Sequence, residues 1–563
     1  VDALWLLVLG AWSAVVCVTA SPHLGITYDE PFYLDAGMDS WRGWWRTDGQ
    51  TPVFAHETTC ACGVMPLPPD VATLPLAVYE MRTGEKLDSD GKIARILWAR
   101  AMTLGWLWLL VVSAWRLGRA AGGPWGGRIA SGLIAADPNF LGHAALATTD
   151  VAISASLMAF ARAVYAGRGG GWWPRVVLPG LWYGVAVLCK LSGLLYGGII
   201  LVALEVCHRF ASGELSRPIG GGSGAWARKF ALAVVRSVLA AAAVIAIGVT
   251  LAVLFCGLPD EGSEPFKRVA NAVPPDEPLR PVFRRWAEHA GRLPNAGCAF
   301  AFQWWWNARG RPTFLNGTYY PEGYRWFFPE LLMMKVPIPV MAVFLLALPR
   351  PRALANPLTL AALLLFAVLT QANLQLGFRF AFPALALAYV AVAVALARGY
   401  PRCAPFLGVP AILAVAAISA WVWPHGIGYL NQLYGGPGQA HRRVTDSNLD
   451  WGQGIPELRA WHDANGSPPT VVWYFGVDPA VRKPPFQPFP LESLPIQSPE
   501  DLRKAVGPRV LAVGYTVISL HPDGPPAKVV ALEYLATRRP LARTTTFVLY
   551  DFRDEANGPP PLE

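Results

Sequence analysis

Two adjacent carboxylates, Asp29 and Glu30, follow the first apolar run of the chain and stand between Tyr28 and Tyr33. A carboxylate at a membrane surface borders a low-dielectric medium, which raises its pKa. Such a group can take the proton of a hydroxyl nucleophile, and with its neighbour it could hold a divalent cation. The plainer reading is a solvated loop start. A third acid, Asp150, opens a later apolar run behind Thr148 and Thr149. There it suits the positive end of a helix that Thr149 would cap. The turn before it is short, so Asp150 is expected at the same membrane face as Asp29. Asp29, Glu30 and Asp150 are therefore the candidate catalytic residues and the candidate cation ligands.

Three cations fall near the same face. Lys190 interrupts an apolar stretch, Lys335 enters another, and Arg379 lies in the segment Gly377 to Pro383. Basic residues are disfavoured outside the cytoplasm, so each needs a reason. Snorkelling to headgroups is one. Holding a lipid phosphate is the other. Beyond the last apolar run come Asn431 and then Asp446, Asn448, Asp450, Trp451 and Gln453. Carboxylates and amides around one Trp suit a sugar's hydroxyls and its flat face, although a turn with a helix cap uses the same residues. The sequence contains no metal triad, phosphate-cradling glycine loop or Ser-His-Asp arrangement.

The elements that must position these groups are set by hydrophobicity. Of 563 residues, 53% are hydrophobic and 15% charged, against about a quarter charged in soluble domains; the mean hydropathy is +0.34. The net charge of +9 is not arranged as a basic stripe with interleaved aromatics, so nucleic acid is not an expected partner. Runs able to cross about 30 Å of hydrocarbon lie at 4–20, 94–115, 125–143, 149–166, 229–256, 333–348, 357–372, 380–397 and 404–422. The stretch 174–206 is longer than one span, and splitting it at Lys190 into 174–189 and 191–206 gives about eleven spans. The first run lacks a basic flank and reads as an uncleaved span rather than a signal peptide.

Basic clusters fix the orientation. With an internal N-terminus, Arg116, Arg119 and Arg128 fall on one side. They are joined there by Arg162, Arg168 and Arg175, by Arg209, Arg217, Arg228 and Lys229, by Arg350 and Arg352, and by Arg398 and Arg402. That side is cytoplasmic. Segments 21–93, 257–332 and the chain beyond 424 then lie outside. The expected organisation is a membrane module over 1–423 and a non-cytoplasmic α/β domain over 424–563, with strands at 470–475, 510–515 and 545–551, a helix at 498–506 and a Pro-rich loop at 479–496. In an oxidising compartment Cys60 could pair with Cys62, or Cys256 with Cys298. Trp residues at the ends of apolar runs are accounted for by an interfacial belt.

The order of motifs resembles the GT-C membrane glycosyltransferases of the protein O-mannosyltransferase type, which include the lipid A aminoarabinose transferases. The likeness is carried by Tyr28-Asp29-Glu30, Thr148-Thr149-Asp150 and Lys190-Leu191-Ser192. It continues through Phe314 to Gly317, Gly323 to Pro329, Lys335 to Pro339, Gly377 to Pro383 and Asp446 to Gln453. The resemblance implies a GT-C fold and a polyprenyl-phosphate-linked sugar as donor. It implies inverting transfer to a hydroxyl on the outer face of a membrane, such as the bacterial inner membrane, with the site facing the periplasm. Asp29 would be the general base supported by Glu30, and Asp150 would position the acceptor or a divalent cation. Lys190, Lys335 and Arg379 would hold the donor phosphate. The family's His-Pro-Pro-Leu stretch is replaced here by Pro66 to Asp70 and Leu74 to Leu76. No β-trefoil domain is present, so the acceptor stays open between protein, lipid and glycan. A transporter of lipid-linked sugars is the competing reading; it would need the cations and a lipid groove but neither the acids nor a soluble domain.

Overall fold

Hydrophobic segments long enough to need lipid or each other as a partner dominate the chain, and they fold as helices. The computed structural model describes residues 1–44, 63–213, 223–257, 278, 280–289, 294–520 and 524–553. The expected apolar segments are helical there, with two of them broken, 125–143 at Asp137 and 333–348 at Val336. Among the described residues six helices could cross a membrane by length and composition, or seven if one bent pair is a single span.

Glycine and proline set the breaks. The helix Ile96–Ala136 reverses at Gly123, whose φ of 73° precedes Pro124. The two arms then approach so closely that a Cβ on Gly118 would lie 2.6 Å from the Gly126 carbonyl oxygen. The expected run 94–115 lies in the first arm; the run 125–143 is the second arm up to Ala136, a break at the extended Asp137, and the short helix Pro138–Ala144. Lys190 separates helices Leu178–Cys189 and Ser192–Ala211 in an extended conformation, φ −165° and ψ 139°. A Cβ on Gly197 would lie 2.7 Å from the Tyr183 ring. Fourteen residues of straight helix would separate these two positions by ~21 Å, so the stretch 174–206 is a hairpin.

The expected span 333–348 needs correction. Helices Phe327–Lys335 and Ile338–Ala347 meet at 105°. Pro337 removes a backbone donor and excludes Val336 from helical geometry, and Val336 has ψ 130°. The span Phe378–Gly399, which contains helix Phe382–Gly399, is the most buried of the six, with 89% of its apolar window buried. Its small residues let neighbours approach: a Cβ on Gly122 would sit 3.0 Å from Val394 Cα.

The strands β1 (Thr313–Leu315) and β2 (Thr318–Tyr320) form a hairpin. Asn316 and Gly317 turn it with φ of 53° and 84°, the positive pair that a two-residue hairpin turn requires. Beyond the helices, β3 (Thr470–Trp473), β4 (Phe486–Pro488), β5 (Val510–Gly514), β6 (Ala542–Arg543) and β7 (Phe547–Asp551) form one sheet in the order β4-β3-β5-β7-β6. β3 is parallel to β4 and β5, while β7 is antiparallel to β5 and β6. β3 and β5 are buried along their whole length. The segment 479–496, expected as a loop, supplies β4; its Pro488 is tolerated at an edge strand. Helix Pro499–Val506 begins with Ser498 accepting from the Asp501 amide, a normal N-cap. Cys256 is a buried free thiol, so the possible pair with Cys298 is not formed. Cys60 and Cys62 lie outside the described residues.

Candidate active site

The loop 24–29 carries the first acid, and it is held from three directions. The Gly25 amide donates to the Gln453 carbonyl at 2.8 Å, and the Tyr28 amide to the Trp451 carbonyl at 2.9 Å. The Ile26 amide donates to Asp478 Oδ2 at 3.0 Å. Gly25 is required because a Cβ would fall 2.8 Å from Asp478 Oδ2. From the helix Ile96–Ala136, Arg100 donates to the carbonyls of Ser21, Leu24 and Gly25 at 2.7 to 2.8 Å.

Glu30 belongs to this scaffold. Its carboxylate accepts from Arg100 Nε at 2.8 Å and Nη2 at 2.7 Å. It also accepts from the amides of Thr27 at 3.0 Å and Ala147 at 2.9 Å. Burial would raise its pKa, but the Arg100 guanidinium and these hydrogen bonds hold it below the ordinary carboxylate range. Thr27 and Glu30 have the spacing in which a helix's third residue reaches back to the cap's amide. That signal in the sequence points to a structural Glu30. With its lone pairs spent and no exposed surface, Glu30 does not join the other acids.

Asp29, one residue earlier, faces the other way. Its Oδ2 accepts from Arg379 Nη1 at 2.8 Å and from the Tyr33 hydroxyl at 3.4 Å. The same Nη1 lies 3.7 Å from Asp150 Oδ2. Asp150 Oδ1 accepts from Lys190 Nζ at 2.8 Å. The four charges thus run Asp29, Arg379, Asp150, Lys190. Arg379 also stacks its guanidinium 4.0 Å from the Trp451 ring centre, and Lys190 lies 4.1 Å from that of Phe380. Arg379 is placed by Gly377, where a Cβ would meet Ser447 Oγ at 2.1 Å, and by the Phe378 amide donating to Asn448 Oδ1 at 2.8 Å.

This chain of charges borders a cleft of about 330 Å³. Tyr28, Asp29, Tyr33, Lys190, Arg379, Asp446 and Trp451 line it, with Asp150 just behind. Arg311, Gln303 and the rings of Phe302, Trp306, Phe380 and Phe475 complete the walls. Tyr28 stacks on Phe475 at 4.5 Å and 13°. Arg311 was not singled out from the sequence, although a basic residue in a segment expected outside carries the same anomaly as Arg379. Arg379 Nε is buried with no acceptor among the described residues.

Several expected site residues are spent elsewhere. Lys335 is 1% exposed and donates to the carbonyls of Ile427 at 2.7 Å and Asn448 at 2.6 Å, so it does not reach the cleft. Asn431 donates to the carbonyls of Met333 at 2.6 Å and Val336 at 3.0 Å, across the 105° bend. Asn448 braces Phe378 as above. Gln453 accepts from the Trp451 amide at 2.7 Å and donates to the Leu449 carbonyl at 2.8 Å. Asp450 accepts from the Thr516 amide at 3.0 Å and the Gly452 amide at 3.2 Å. These residues hold the polypeptide that presents Arg379 and Trp451.

The three acids do not fit a divalent cation. Glu30 is turned toward Arg100, and the Arg379 guanidinium occupies the contact position between Asp29 and Asp150. No group of three metal-ligating side chains occurs among the described residues.

No family model matches the chain, and no curated protein matches it. Among solved structures it is similar to ArnT from Cupriavidus metallidurans bound to undecaprenyl phosphate. The identity is 14% over 100% of both chains, with a TM-score of 0.46. It is also similar to the archaeal oligosaccharyltransferase AglB from Archaeoglobus fulgidus in complex with an inhibitory peptide and a dolichol-phosphate. Here the identity is 11% over 99% of this chain and 75% of that one, with a TM-score of 0.45. Apo ArnT from the first organism gives 15% identity over 97% and 98%, at 0.44.

Two buried acids beyond the last apolar helix make stability depend on pH. Burial pushes Asp450 up to about 7, against the pull of the Thr516 and Gly452 amides. Burial pushes Asp446 up to about 6, against Arg379. Unfolded Asp titrates near ~3.9, so the folded chain keeps a proton that the unfolded chain has lost. The stabilising contribution is full below that value and falls as pH rises through the folded pKa. His425 and His441, both lowered by burial, act in the opposite sense, so the variant difference isolates the acid. The melting temperature of Asp450→Asn relative to wild type is expected to rise between pH 5 and pH 8. A difference independent of pH would refute the assignment.

Proposed function

We propose that the chain is a membrane glycosyltransferase. It moves a sugar from a polyprenyl-phosphate-linked donor to a hydroxyl of a protein, lipid or glycan, with inversion, on the non-cytoplasmic face. The observation that carries this reading is the alternation Asp29, Arg379, Asp150, Lys190 on the wall of an aromatic cleft. A phosphate entering the cleft meets Arg379, Lys190 and Arg311. It competes with Asp29 for Arg379, whose Nε has no acceptor among the described residues. Loosened from Arg379, the Asp29 carboxylate takes the proton of the acceptor hydroxyl as that oxygen attacks the anomeric carbon. The carbon–oxygen bond to the phosphate breaks, and the polyprenyl phosphate leaves with its new charge neutralised by the clamp. Tyr28, Tyr33, Asp446 and Trp451 hold the sugar. Asp150 keeps Arg379 and Lys190 in register.

In this reading the side bearing the cleft, with the sheet 470–551, faces the periplasm of a bacterial inner membrane. The short basic clusters on the other side support that orientation. A cleft that holds acids as well as cations, together with the domain built on the five-stranded sheet, favours transfer over transport.

The clamp separates Lys190 from Lys335. Lys190→Met is expected to raise the donor KM about tenfold or more, as loss of a charge-assisted contact should. Lys335→Met is expected to lower thermal stability and leave the donor KM of the folded protein unchanged. Equal donor KM for Lys190→Met and wild type would remove Lys190 from the clamp.

A further inference from the structure

A second cavity, of about 240 Å³, lies between helices Ser192–Ala211 and Ser223–Cys256. It is at the far end of the bundle. Asp150 begins the helix Asp150–Gly167, and Arg168 is the residue after it, ~27 Å away along 18 residues. The cavity's long wall is apolar and open to the side: Val202 and Val238 are 56% and 60% exposed. Its polar end holds Arg168, Arg175, Arg209 and Glu205.

Among the described residues lining the cavity, three guanidiniums face one carboxylate. Glu205 accepts from Arg209 Nε and Ser237 Oγ, each at 2.8 Å, and lies 3.7 Å from Arg175 Nη2. One carboxylate thus serves two guanidiniums. Arg168 is left over, its Nε and Nη2 buried with no acceptor among the described residues. Buried N–H donors left unpaired are costly, and a guanidinium is shaped to hold two oxygens of one phosphate. A basic pocket between spanning helices with an apolar wall beside it suits a phospholipid, headgroup to the cations and acyl chain along the valines.

We propose that this groove binds an anionic phospholipid from the leaflet opposite the cleft, with its phosphate on Arg168 and Arg175. The site shares no residue with the cleft, so it stands or falls independently of the transferase reading.

The test is native mass spectrometry of the full chain in detergent, titrated with phosphatidylglycerol or phosphatidylcholine. The site is expected to retain phosphatidylglycerol at least about tenfold more tightly than phosphatidylcholine. Arg168→Ala should remove that preference. Val238→Trp, which fills the groove and leaves the charges, should weaken binding of both lipids. Lys190→Met should change nothing here. Equal retention of the two lipids, or an unchanged preference in Arg168→Ala, would overturn the proposal. So would displacement of phosphatidylglycerol by inorganic phosphate at equal concentration, which would make this a free-anion site.

Discussion

Asp29→Asn is expected to lower the rate of sugar transfer by about 10²–10⁴-fold, the usual contribution of a positioned general base. The amide keeps the size of the side chain and an oxygen for Arg379 Nη1, now 2.8 Å from Oδ2, but it cannot take up a proton at neutral pH. The loss should therefore fall on kcat, while the donor KM stays level or falls, because the charge that competes with the phosphate for Arg379 is gone. Single-turnover transfer with saturating donor separates the two. A variant that keeps more than about a tenth of the rate would remove Asp29 from the proton transfer.

The second large effect is on folding. Arg100→Met should cost about 3–5 kcal/mol, the range for removing one partner of a buried ion pair. Arg100 and Glu30 have side chains 1% and 0% exposed, so water cannot replace the lost contact. The substitution leaves the Glu30 charge facing only the Thr27 and Ala147 amides, and it strips the carbonyls of Ser21, Leu24 and Gly25 of their donor. Arg100→Met with Glu30→Leu should cost less than the sum of the two single changes, because the stranded charge goes with its partner. Thermal unfolding of the purified variants gives the comparison. Additive losses would mean that the pair is not a unit.

Hydrophobicity made the helices readable, because a run that must avoid water over a membrane's width has few alternatives to a helix. The hairpin at Lys190 was readable because one long span would have scattered the basic clusters over both faces. The bend at Val336 was not, since the apolar run passes through Pro337 and Pro339 unbroken in hydropathy. At the site, Asp29 and Asp150 stood out as acids at the ends of apolar runs and Lys190 and Arg379 as basic residues on a face that should lack them, and the structure brings these four together. Lys335 carried the same anomaly but neutralises backbone carbonyls. Residue type cannot separate the two, because an ammonium satisfies a carbonyl and a phosphate with the same N–H groups. Asn431, Asn448 and Gln453 were opaque for the same reason. Arg100 was passed over inside an apolar run, although a charge there calls for a buried partner.

The central claim is that the bond between sugar and phosphate breaks in the cleft. The most direct measurement uses the protein in sealed vesicles supplied with radiolabelled polyprenyl-phosphate sugars. Separate assays follow the label's chemical attachment and its side of the bilayer. The predicted result is label moving from the polyprenyl phosphate into an acceptor with wild type, and staying on the carrier with Asp29→Asn at equal expression. Intact donor crossing the bilayer with no label transferred would contradict the account and identify a transporter instead.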